Sequence, residues 1–148
     1  MIVEAEVSID GTKGAIWAVI TDIKNAPNIM SGIESIEVLS TPASGVVGLR
    51  WRETRMYFGK PAAVEKSITD AVENEFYKTK AESDGFVFFS TLRISKSNGG
   101  ITLTSSHDTI PQGIAAKLKA IPMVLFRGVI KKALLQDLTD IKSAVERQ

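Results

Sequence analysis

The chain contains no cysteine and only one histidine, His107. The first absence excludes a disulfide framework, a thiolate metal site and a cysteine nucleophile; the second excludes a histidine-rich metal centre. No apolar run approaches the roughly 18 residues of a membrane-spanning helix, and none follows a basic start. Neither charge is in excess: 18 Lys and Arg against 17 Asp and Glu leave +1, with no general pull toward nucleic acid. There is no glycine-rich phosphate loop, no paired-carboxylate motif, no metal-ligand cluster and no serine in a nucleophile motif. The expectation is a cytoplasmic protein without cofactor or metal. At 148 residues it is one domain, 1–148, able to bury a core unaided.

What is present is alternation followed by helical periodicity. Val3, Ala5, Val7 and Ile9 alternate with Glu4, Glu6 and Ser8, a half-buried strand. Asp10-Gly11 ends it, and Asp10 or Thr12 can cap a short helix carrying Ile16, Trp17, Val19 and Ile20. Turn residues around Pro27 lead to Ile29-Met30 and a second short helix. Strands are predicted over 33–39, 47–57, 62–69, 75–83, 86–95 and 101–110, the 62–69 strand at or near an edge. Gly59-Lys60-Pro61, Asp84-Gly85 and Asn98-Gly99-Gly100 supply turns. Short connections make the sheet antiparallel. From Ile114 to Arg147 one long amphipathic helix is predicted, interrupted near Pro122. Its stripe is Phe126, Ile130, Ala133, Leu134, Leu138, Ile141 and Val145. A lone long helix must bury its stripe, and the sheet is the partner available. The fold class is α+β, a curved antiparallel sheet of about seven strands around a C-terminal helix.

Several segments also resemble a known family. Val7-Ser8-Ile9-Asp10, Trp17-Ala18-Val19-Ile20-Thr21-Asp22 and Pro27 are similar to the opening of the START-like, or SRPBCC, superfamily. Gly48-Leu49-Arg50-Trp51-Arg52-Glu53-Thr54-Arg55 resembles the third strand of its polyketide cyclase/dehydrase and lipid-transport branch. Ala133-Leu134-Leu135-Gln136-Asp137-Leu138 resembles the end of its last helix. The chain departs from the family in having Ile29-Met30 where an aromatic often follows the proline. The resemblance implies a helix-grip fold, as in the birch pollen allergen, with a cavity between sheet and helix. It implies no particular reaction, since fold does not fix function.

Candidate site residues follow from strand phase. Trp51, Glu53, Arg55 and Tyr57 share one face, with Arg50, Arg52 and Thr54 on the other. If Trp51 is buried, Glu53 and Arg55 accompany it and must pair or line a wet cavity. His107 shares a face with Ile101, Leu103 and Ser105. It reads either as an acid/base or ligand-facing donor, or as a side chain satisfied by nearby backbone or Asp108. Tyr77, Phe88, Ser90 and Leu92 have the inward phase, and Met123 and Phe126 lie at the helix bend. Aromatics at this spacing serve as core, as cavity wall or as both.

Three functions are open. The first is binding of a small apolar molecule (a lipid, polyketide, isoprenoid or aromatic metabolite) against these residues. The second is a cyclase/dehydrase-type enzyme using His107 and Glu53 as acid and base. The third is lipid transfer at an anionic membrane surface, because no acidic residue lies between Asp108 and Asp137 while Lys117, Lys119, Arg127, Lys131 and Lys132 do. Leu135, off the stripe, reads either as a homodimer contact or as a solitary surface leucine.

Overall fold

The computed structural model describes the backbone of residues 1–148 and every side chain except those of Lys119, Ala120, Ile121 and Met123. Strand β1 (Ile2–Ile9) buries Val3, Ala5 and Ile9 and exposes Glu4 and Glu6, as its alternation demands. Helix α1 (Lys13–Ile20) starts at Thr12, whose Oγ1 accepts a hydrogen bond from the Ala15 N–H at 3.0 Å. A single 3-10 turn (Ile23–Asn25) leads into the short α2 (Ala26–Ile29). Pro27 occupies its first turn, where a missing N–H costs nothing.

Six strands follow: β2 (Ile33–Ser40), β3 (Arg50–Tyr57), β4 (Lys60–Val72), β5 (Phe76–Ser83), β6 (Phe86–Ser97) and β7 (Gly100–Pro111). All pair antiparallel, in the order β1-β7-β6-β5-β4-β3-β2. The β5–β6 hairpin closes on Asp84-Gly85, with φ of 50° and 81°. Two left-handed residues in a two-residue loop match the twist of the flanking strands. The β3–β4 hairpin does the same with Phe58-Gly59, φ 51° and 78°. That turn lies one residue earlier than Gly59-Lys60-Pro61, so Lys60 and Pro61 begin the strand. Strand β4 is not at an edge: it lies between β3 and β5, and β1 and β2 are the edges. Pro61 is tolerated because it sits at the very start of the strand, beside the turn.

The C-terminal region is two helices, α3 (Gly113–Met123) and α4 (Arg127–Glu146), separated by a 3-10 turn over Val124–Phe126. The predicted stripe exists, but its two halves have different surroundings. Leu138, Ile141 and Val145 are buried against Ala5, Ile9, Ile16, Ile20, Ile94 and Leu103, forming the main core. This half is also clamped by polar contacts. The Asp10 N–H donates to Glu146 Oε2 at 2.9 Å, and Lys142 Nζ donates to the Ser8 carbonyl at 2.6 Å. Ser31 donates through both N–H and Oγ to Asp140 Oδ2. The first half is less covered: Phe126 is 48% exposed and Ile130 only partly buried, and Leu134 packs on the margin of this core. A smaller cluster of Ile23, Trp51, Ile68 and Tyr77 fills the sheet beneath the other flank.

Candidate functional site

The concave face of the sheet carries polar side chains in register across its middle. Thr79 on β5 lies opposite Ser90 on β6, and Ser90 lies opposite His107 on β7. Lys66 on β4 lies opposite Trp51 and Ala81. With Glu53 and Arg55 they form a band between two apolar zones. Facing this band, α4 presents Val129, Ile130, Ala133, Leu134 and Asp137. The space between has a volume of about 410 Å³, and a second chamber of about 370 Å³ adjoins it toward Phe88 and Thr109. Both chambers border on Glu53, Arg55, Lys66, Ser90, His107 and Ile130. Small-molecule sites commonly combine apolar walls with a few convergent polar groups.

Glu53 is the centre of the charged part. It is 7% exposed and receives three hydrogen bonds: from Arg55 Nε at 2.7 Å, Lys66 Nζ at 3.0 Å and Trp51 Nε1 at 3.3 Å. Burial pushes the carboxyl up, but the charges and hydrogen bonds of Lys66 and Arg55 outweigh it and hold the pKa at about 2. Arg55 continues the chain. Its Nη1 and Nη2 donate to the two oxygens of Asp137 on α4, at 3.1 and 2.9 Å. Burial opposes the guanidinium charge, but Glu53 and Asp137 more than compensate and raise its pKa. Sheet and helix are thus joined by a bidentate ion pair across the cavity wall. Gly32 makes room for it: a Cβ there would lie 2.9 Å from Arg55 Nη1 and 3.4 Å from Asp137 Oδ1.

His107 belongs to the neutral part. Its Nδ1 is 3.0 Å from Ser90 Oγ, and its ring stacks on Phe88 with centroids 5.8 Å apart. Burial, then the charge of Lys66, lowers its pKa to about 4, with Asp108 opposing. At neutral pH it is an uncharged imidazole. Asp108 is not its hydrogen-bond partner; that carboxylate lies 3.6 Å from the N-terminal ammonium instead. Tyr77 has the inward phase predicted for it and is buried, with its hydroxyl donating to the Ile20 carbonyl at 3.1 Å. It contributes wall, not a free polar group. Leu92 and Phe126 line the larger space, Phe88 lines the smaller, and Met123 lies outside the described side chains.

Chemically, the site offers no coupled acid/base pair. Glu53 stays ionised down to strongly acidic pH, and no hydrogen bond joins it to His107 among the described residues. Of these two residues, His107 is the one suited to proton transfer.

No protein-family model matches the chain, and no curated protein matches it. Solved structures do. A START superfamily protein from Mycobacterium smegmatis superposes with a TM-score of 0.78 at 16% identity, over 99% of this chain and 97% of that one. The Zhui aromatase/cyclase from Streptomyces sp. R1128 gives 0.76 at 17% identity, over 99% and 94%. Ara h 8.0201 gives 0.70 at 15% identity, over 100% and 99%. The fold is START-like. It is the helix-grip architecture the sequence resemblance implied, seven curved strands with two short helices after β1 and a long C-terminal helix. At these identities the likeness carries the fold and not the ligand or the reaction.

Within this START-like frame, the sequence-derived residues Trp51, Glu53, Arg55, Ser90, Leu92 and His107 converge on one space. Lys66, Asp137 and Thr109 were missed. Lys66 shares a phase with Val64 and Ile68, which an edge assignment for the strand obscured. Asp137 flanks the stripe three residues after Leu134 and four before Ile141, an acid where the helix should be apolar. Thr109 extends the row Ser105, His107 by one more step of two.

Proposed function

We propose that the protein binds a small, predominantly apolar ligand, of the lipid, polyketide, isoprenoid or aromatic type, between the sheet and the first half of α4. The observation that carries this reading is the divided stripe. Residues of one phase all border the space from Ile130 to Ile141, but Leu138 and Ile141 are buried in the core while Ile130 and Leu134 are only partly buried and Ala133 is exposed. Covering apolar surface there stabilises a complex by roughly 25 cal/mol per Å². Native mass spectrometry after gentle purification tests it. A bound mass, or uptake of an added apolar probe with a change in fluorescence of the buried Trp51, is expected; empty spectra and no probe uptake refute it.

A second reading is loading of the ligand at an anionic membrane surface. Phe58, 88% exposed, borders the larger space with the exposed Phe126 and Val129, and Val124 and Leu125, the latter 84% exposed, share a 3-10 turn with Phe126. Arg127, Lys131 and Lys132 are exposed beside them. Apolar tips amid cations suit an anionic interface. Sedimentation with phosphatidylserine vesicles at low salt, lost in a Leu125→Asp variant, is the expected result. No co-sedimentation dismisses it.

A further inference from the structure

Resting on the membrane-loading reading, we propose that the tip of the β3–β4 hairpin is a membrane-inserting element in its own right. Phe58 enters the same anionic bilayer as the Val124–Phe126 turn, one from the sheet side of the larger space and the other from the helix side. Two independent observations lead there.

The first is the backbone at Phe58. It takes the first position of the two-residue turn at φ 51°, in the left-handed region. Sterics disfavour that region for a bulky L-residue, whereas asparagine, aspartate and glycine enter it readily. Among the described residues, the other non-glycine positions with positive φ are Asn74 and Asp84, as that rule expects. Phe58 breaks the rule, and packing does not compensate, because its side chain lies almost wholly in water. The residue is thus unfavourable in backbone conformation and in hydration at once. Met56 and Tyr57, just before it, are exposed as well. Insertion of the tip into hydrocarbon removes the hydration cost.

The second is the distribution of charge. Phe58 borders the larger space together with Phe126 and Val129 of the opposite layer. Residues 56–61 contribute the exposed Lys60, and residues 124–132 the exposed Arg127, Lys131 and Lys132; neither segment contains an acid. Apolar tips with cations on both sides complement an anionic bilayer. A second copy of this chain fits less well, since two such surfaces would bring like charges together. Seated this way, the larger space meets the bilayer, and an apolar ligand passes between them without crossing water.

Vesicles of mixed phosphatidylserine and phosphatidylcholine with brominated acyl chains, at low salt, test this on the full chain. Phe58→Trp and Leu125→Trp should each show bromine quenching beyond that of the parent, whose Trp17 and Trp51 give the background. Phe58→Asn creates the preferred Asn-Gly turn, so it should melt no lower than the parent yet bind these vesicles at least about tenfold more weakly. Quenching in Leu125→Trp but not in Phe58→Trp would overturn the proposal while leaving the membrane-loading reading standing. So would a Phe58→Asn protein that binds as tightly as the parent, or one that melts lower and thereby gives Phe58 a structural role. If the parent does not bind the vesicles, and instead forms a dimer that Phe58→Asn abolishes, the membrane-loading reading fails and this proposal with it.

Discussion

Glu53 shows how a single buried carboxylate shapes both stability and chemistry. Its pKa moves from an ordinary 4.5 to about 2, so between those values the unfolded chain takes up a proton that the folded chain refuses. Stability therefore rises with pH across that window; the contribution is whole above about 4.5 and is lost as pH falls toward 2. Its size is about 3 kcal/mol. His107 acts in the same direction over a higher window. Its pKa is lowered from 6.5 to about 4, so acid unfolding begins to draw on it below pH 6.5. Two successive losses on acidification are expected in urea-unfolding midpoints taken across pH. Glu53→Gln should abolish the lower one and destabilise the protein by about 3–5 kcal/mol at neutral pH, since Lys66 and Arg55 lose their shared partner. An unchanged lower step in that variant would mean that another carboxylate causes it.

Among the elements, α4 carries the contrast on which the proposed binding depends. Leu138→Ala removes a fully buried side chain from the main core and should cost about 2–5 kcal/mol in chemical denaturation. Leu125→Ala, at an exposed position of the preceding turn, should stay within about 0.5 kcal/mol. Asp137→Asn should release the helix from Arg55 while Glu53 and Lys66 remain paired. Faster amide hydrogen exchange is expected over 127–133, and unchanged exchange over 138–145, where core contacts hold the helix. Equal acceleration in both stretches would show that the pair holds the whole helix rather than its cavity half. The sequence made the helix and its stripe legible because periodicity of three and four is a local property. It could not show which half of the stripe is core, because that depends on how far α4 diverges from strands many residues away. The Arg55–Asp137 pair, across the same gap, was illegible for the same reason, whereas Trp51 correctly set the phase that buries Glu53 beside it.

At the scale of the whole molecule, seven strands and one long helix enclose a volume they do not fill. The strand count and antiparallel order were readable from turn chemistry, and the hollow was implied by family resemblance rather than by any residue pattern. Volume is a difference between surfaces set by backbone curvature, and side-chain alternation records only which face is inward. The edge position expected for β4 is not found, since it lies between β3 and β5, and strand order is set by long-range pairing that local alternation does not record. An unfilled interior makes stability responsive to whatever fills it. A ligand present at about a hundredfold above its Kd adds about 2.7 kcal/mol to the folded state. For a domain of this size that corresponds to a rise in Tm of roughly 5–11 °C. A side chain built into the same volume should compete with that gain. Ala133 borders the larger space from α4, so Ala133→Trp places an indole where the proposed ligand would lie. Scanning calorimetry should find the variant at least as stable as the parent without ligand, and without the ligand-induced rise in Tm. A full rise retained in Ala133→Trp would locate the bound molecule somewhere other than between α4 and the sheet.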